Sequence, residues 1–175
     1  MLIERDACLV IERGGRLVAL DPLVADPFGR LLQYDRVINA LGRQGFSLPT
    51  EDEWEYLCGG GTGRLLGDQV DEGLVRDICA GKRQSWSHDE LRMPTRQGVY
   101  IAYDGGTYEL VQAPCLVKGA DGGVAGCGGY SALALLAVSP HYRQEHIEEV
   151  VDDDRSFENA VYVRRVVRLA PPIAS

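Results

Sequence analysis

Two short β-prone runs open the chain, Ala7 to Ile11 and Leu17 to Leu20, on either side of Arg13-Gly14-Gly15-Arg16. A Gly-Gly pair tolerates the positive φ values of a tight turn, so the pattern predicts an N-terminal hairpin. Asp21-Pro22 and Asp26-Pro27 then break the chain into a loop. Next, Tyr34, Val37, Ile38 and Leu41 fall at i, i+3, i+4 and i+7, the stripe of an amphipathic helix that Gly42 and Gly45 can end. The sharpest signal follows in Leu48-Pro-Thr-Glu-Asp-Glu-Trp-Glu-Tyr-Leu-Cys58. Thr50 and Glu53 stand three apart, as a capping box requires, and the acidic residues of the first turn suit the positive end of the helix dipole. Trp54, Leu57 and Cys58 form the buried face, and Gly59-Gly60-Gly61 stops the helix.

From Gly59 to Gln97 the periodicity is weak, with one or two helical turns expected at Leu74 to Ile78. Strands are expected at Val99 to Tyr103, Thr107 to Val111, Cys115 to Lys118 and Val161 to Leu169. The apolar run Ala132 to Val138 fits a helix or a buried strand equally. No fixed-period repeat or linker divides the 175 residues, so the expectation is one α+β domain spanning 1–175, with 1–30 as hairpin and loop.

Charge narrows the partners. Lys and Arg number 18 against 26 Asp and Glu, a net charge of −8, and no basic stripe is present. Such a surface repels phosphate backbones, so no nucleic-acid partner is expected. Charged residues at 25% and hydrophobic residues at 45% are values of a chain with a packed core, not of a disordered one. Glycine is in excess, at 21 residues, which predicts many turns and short helices. Cys8, Cys58, Cys79, Cys115 and Cys127 are odd in number and lack C-x-x-C spacing, so neither a disulfide framework nor a zinc knuckle is indicated. Charges interrupt the opening Met-Leu-Ile-Glu-Arg-Asp, and no apolar run is long enough for a bilayer. A cytoplasmic, reducing setting without a membrane partner follows as the expectation.

Leu48-Pro-Thr-Glu-Asp-Glu-Trp-Glu-Tyr56 resembles the Leu-Pro-Thr-Glu-x-Glu-Trp-Glu-Tyr hallmark of the formylglycine-generating enzyme (sulfatase-modifying factor) family. In the same order, Gly67-Asp68, Gly98-Val-Tyr100, Gly105-Gly-Thr-Tyr-Glu-Leu110, Leu116-Val-Lys-Gly-Ala120 and Arg165-Val-Val-Arg168 are similar to later, more degenerate family motifs. The resemblance implies a C-type-lectin-like α+β fold with small twisted antiparallel sheets, few short helices and much irregular loop. The family carries a longer segment before its first helix, so the resemblance implies a truncated, divergent member.

Active members of that family oxidise a substrate cysteine with oxygen and a copper(I) ion held by two thiolates five residues apart. Soft thiolates select Cu(I), and a two-sulfur site leaves room for a substrate thiolate. Cys127 stands at a comparable place when Gly122-Gly123 is taken as the family's Gly-Gly, but Ala132 occupies the second position. Cys127 is therefore expected to be a small thiol in a glycine-rich loop, catalytic only if the chain is an enzyme. The family's calcium-site Asn is replaced by Gly106, which removes an oxygen ligand and puts calcium in doubt. Asp152-Asp153-Asp154 reads as a solvated acidic loop. His141 and His146 are five apart and match no zinc pattern, and His88 stands alone. Gly59-Gly-Gly-Thr-Gly63 closes a helix and lacks the Lys of a phosphate loop. No metal ligands and no cofactor are assigned.

Six glycines between Gly119 and Gly129 fall where the resembled fold builds its peptide-binding cleft. Residues 119–131 and 139–158 are the expected recognition loops, with Tyr130, His141, Tyr142 and Arg143 as candidate contacts. The preferred reading is a non-catalytic module that binds a ligand or a protein or peptide partner. A divergent copper- and oxygen-dependent thiol oxidase acting through Cys127 is the first alternative, and a structural subunit of a larger complex is the second.

Overall fold

The computed structural model describes residues 1–8, 10–13, 16–19, 34–84, 86–102, 106–114, 116–120, 132–145 and 159–169. In chain order the elements are β1 (Leu2–Ile3), β2 (Val10–Arg13), β3 (Arg16–Ala19), α1 (Tyr34–Arg43), α2 (Glu51–Cys58), α3 (Glu72–Cys79), α4 (His88–Leu91), β4 (Gly106–Leu110), β5 (Leu116–Gly119), a 3₁₀ helix (Ala132–Val138), β6 (Gln144–Glu145), β7 (Asn159–Tyr162) and β8 (Val166–Val167). This is an α+β arrangement of short helices with small sheets. No helix among the described residues is long and apolar enough to cross a membrane.

The expected hairpin forms as β2 against β3, with Arg13 opposite Arg16. A second pair joins the two ends of the chain, Leu2 opposite Val167 and Ile3 opposite Val166. The largest sheet runs β6-β5-β4-β7. It is mixed, not purely antiparallel as expected, because β7 lies parallel to β4.

The centre of this sheet explains the two cores. Side chains alternate across a strand, and directly paired antiparallel residues share a face. Glu109 pairs with Lys118, so these two share one face with Val111 and Leu116. That face meets Trp54, Leu57 and Cys58 of α2 in the larger apolar cluster. Tyr108, Leu110 and Val117 take the opposite face and pack with Val37, Ala40 and Leu41 of α1. The β4–β5 pair is thus covered on both sides, which accounts for a β5 buried at every position.

Other expectations are corrected. Of the strand expected at Val99 to Tyr103, the described residues 99–102 hold none; Tyr100 makes one isolated bridge to Asp6. Val161 to Leu169 is not continuous. It breaks between β7 and β8 because Val163 pairs with Cys8 while Val166 pairs with Ser47. The undecided run Ala132–Val138 is 3₁₀ helix. In the otherwise irregular stretch, the helical turns expected at Leu74 to Ile78 form as α3, and the short α4 is an addition to the expectation. The Asp-Pro breaks at 21–22 and 26–27 lie outside the described residues.

Beside Trp54 sits a sealed ionic knot. Arg164 and Glu109 are both fully buried and pair at 2.8 Å. The Glu109 carboxylate accepts from Trp54 Nε1 at 3.0 Å, from Arg164 Nε at 2.9 Å and from the Ala102 amide at 2.9 Å. Arg164 also donates to the carbonyls of Glu4, Arg5 and Tyr100. One guanidinium therefore ties the N-terminal segment to the C-terminal strands, with its donors and its carboxylate partner paired inside the protein.

Candidate functional site

The site grows from the helix cap. Thr50 holds an extended conformation, and its hydroxyl accepts from the Glu53 amide at 3.1 Å. Glu53 returns to accept from the Thr50 amide at 2.8 Å, closing the expected capping box. Arg168 adds a donor to the same Glu53 carboxylate at 2.5 Å. With its first turn fixed, α2 buries Trp54 and aligns Glu51 and Glu55 one turn apart on a neighbouring face.

Lys118 lies beneath these two glutamates. Its side chain is fully buried, 3.2 Å from Glu51 and 2.7 Å from Glu55, and its ammonium sits 5.5 Å from the centre of the Trp54 ring. The strand register puts Lys118 beside Glu109, so Trp54 separates two ionic groups on one sheet face.

The outer half comes from residues 139–143. Ser139 Oγ donates to the Leu65 carbonyl and accepts from the His141 amide, which shapes the turn. Pro140 packs beside Gly59 at the end of α2. His141 Nδ1 stands 2.8 Å from Glu55 Oε2. Arg143 meets Glu51 through Nε at 2.9 Å and Nη2 at 3.1 Å, a bidentate contact. The spacing explains the fit. Residues i and i+4 of a helix are separated by about 6 Å along the axis, so α2 presents two carboxylates one turn apart to the residues of the 139–143 turn. Glu51 and Glu55 therefore match Arg143 and His141 in a two-rung clamp. Pairing of β6 with Leu116 and Val117 of β5 holds the continuing chain in place.

Burial alone would push the Glu55 carboxyl up. The hydrogen bonds donated by Lys118 and His141, with the charge of Lys118, outweigh it and hold Glu55 below its ordinary value, so the carboxylate stays ionised. The outer residues remain accessible, with His141 at 56% and Arg143 at 53% side-chain exposure. Tyr142, between them, is half-buried.

Of the sequence candidates, the structure brings His141, Tyr142 and Arg143 together against α2. Cys127 and Tyr130 lie outside the described residues, as do His146 and Asp152 to Asp154. Glu51, Glu55 and Lys118 were not foreseen as site residues. The available signals were the i, i+4 spacing of the two glutamates and a lone lysine within an apolar strand. At the end of β5, Gly119 and Ala120 both take positive φ. A side chain at Gly119 would bring its Cβ within 2.5 Å of the Ala102 carbonyl, so only glycine fits there.

Cys8 is half-buried, its thiol pushed up mainly by burial; Cys58 is buried and Cys79 exposed. Among the described residues, no three His, Cys, Asp or Glu side chains converge as a metal-holding group. Comparison with protein-family models, with curated proteins and with solved structures found no match to this chain.

Proposed function

We propose that the chain is a non-catalytic recognition module that binds a protein or peptide partner on a scaffold like that of the formylglycine-generating enzyme family. The observation that carries this reading is the clamp. His141 and Arg143 are each tied to a glutamate of α2 over a buried lysine, yet both keep about half of their surface open. Side chains ordered before binding lose less entropy on association, and Arg beside Tyr supplies both area and oriented polar groups. On its sequence alone, the glycine-rich segment 119–131, with Tyr130, is proposed as a further part of the recognition surface.

A photo-cross-linking residue placed at Tyr142 tests it in the native cell. The expected result is a discrete adduct of one mass, absent when the probe replaces exposed Met93. No adduct at 142, or the same adduct from 93, contradicts the reading. Titration of the reduced protein with Cu(I) separates the oxidase alternative: stoichiometric tight binding that disappears in Cys127→Ser would favour a thiol enzyme instead.

A further inference from the structure

The clamp also fixes which atom His141 offers. Glu55 Oε2 lies 2.8 Å from Nδ1, and the other oxygen of the same carboxylate accepts from Lys118. An ionised carboxylate only accepts hydrogen bonds, so the proton of that contact must sit on Nδ1. Neutral imidazole has one N–H and one lone pair, which leaves the lone pair on Nε2. Nε2 makes no hydrogen bond to any described residue, and the side chain is more than half exposed. The ring cannot turn over cheaply. A half-turn about the ring bond would put Cδ2–H in place of Nδ1–H and lose the hydrogen bond to Glu55, whose carboxylate Lys118 holds in position.

Resting on the recognition reading above, we infer that Nε2 of the neutral His141 ring is a dedicated hydrogen-bond acceptor, and that the partner segment presents a donor to it: a hydroxyl, a side-chain amide or a backbone N–H. A carboxylate or phosphate group would bring only acceptors to this atom and is selected against. The other charged groups around the ring, Glu51, Arg143 and Lys118, are committed to one another and leave the ring as the element that discriminates. Discrimination of this kind is strong because a desolvated acceptor left without a donor loses its bond to water and gains nothing in return.

The inference is tested on the intact chain in two ways. Nitrogen-15 NMR at neutral pH should show a single ring proton, on Nδ1 of His141; a proton on Nε2, alone or in an imidazolium, overturns the inference. A random heptapeptide display library panned on the wild type should enrich peptides sharing one Ser, Thr, Asn or Gln position. Panned on His141→Asn, whose shorter amide can still donate toward Glu55 but has nothing at the place of Nε2, the library should lose that preference at least tenfold. Identical peptides from both proteins overturn the inference. Enrichment that needs Arg143 but not His141 leaves the recognition reading standing and removes only this refinement. Enrichment unchanged by His141→Ala with Arg143→Ala contradicts the recognition reading itself.

Discussion

Trp54 stands between two ionic groups that share a sheet face and differ in almost everything else. On one side, Glu109 and Arg164 are sealed from water and satisfy each other and the surrounding carbonyls. On the other, Lys118 is equally buried, but its glutamates lead outward to half-exposed His141 and Arg143. The sealed knot joins distant parts of the chain, residues 4–5, 100–102, 109 and 164. The open clamp holds a turn on a helix and leaves polar atoms facing solvent. The difference teaches where function can reside: a fully paired, dry network specifies a structure, whereas a partly open one retains hydrogen-bonding capacity for a second molecule.

Substitutions should rank the two groups by their access to water. Arg164→Met strands Glu109 in the interior and is expected to cost about 3–5 kcal/mol, measured by urea unfolding. A loss below about 1 kcal/mol would show that the knot is not the tie inferred here. Lys118→Met leaves Glu51 and Glu55 facing each other, but both are partly exposed and can recruit water. The expected cost is smaller, about 1.5–3 kcal/mol, with faster amide exchange at residues 139–143. A loss as large as that of Arg164→Met would erase the distinction between the groups.

Acid sharpens the comparison. Glu55 is held below its ordinary pKa in the folded state, so the fold binds its proton less readily than the unfolded chain. The stability this provides is present above the unfolded carboxylate pKa and is lost as pH falls through the folded one. Lys118→Met should flatten that part of the stability profile, whereas a distant exposed change such as Met93→Ala should leave it unaltered. The smallest stability effect is expected for Arg143→Ala, under about 1 kcal/mol because its pair with Glu51 is half exposed. The same change should still weaken partner capture at least tenfold.

What was legible in the sequence was local. The capping box at Thr50 and Glu53 needs only four consecutive residues, and the buried stripe of α2 is read from neighbouring positions. The clamp joins Lys118 to glutamates 63 and 67 residues away, so no spacing rule could announce it. The run Val161 to Leu169 looked like one strand because its residues are β-prone. Its partners, Cys8 and Ser47, come from different parts of the chain and divide it. His141 and Arg143 were found as residue types suited to recognition; their anchoring to Glu55 and Glu51 required the fold.

The central claim is that residues 141 and 143 form a surface for a partner and contribute little to the fold. The direct measurement is the affinity of the molecule cross-linked through position 142, for the wild type and for His141→Ala with Arg143→Ala, alongside the urea midpoints of both proteins. Affinity reduced at least a hundredfold with nearly unchanged midpoints is the predicted result. Equal affinity in the two proteins would contradict the account.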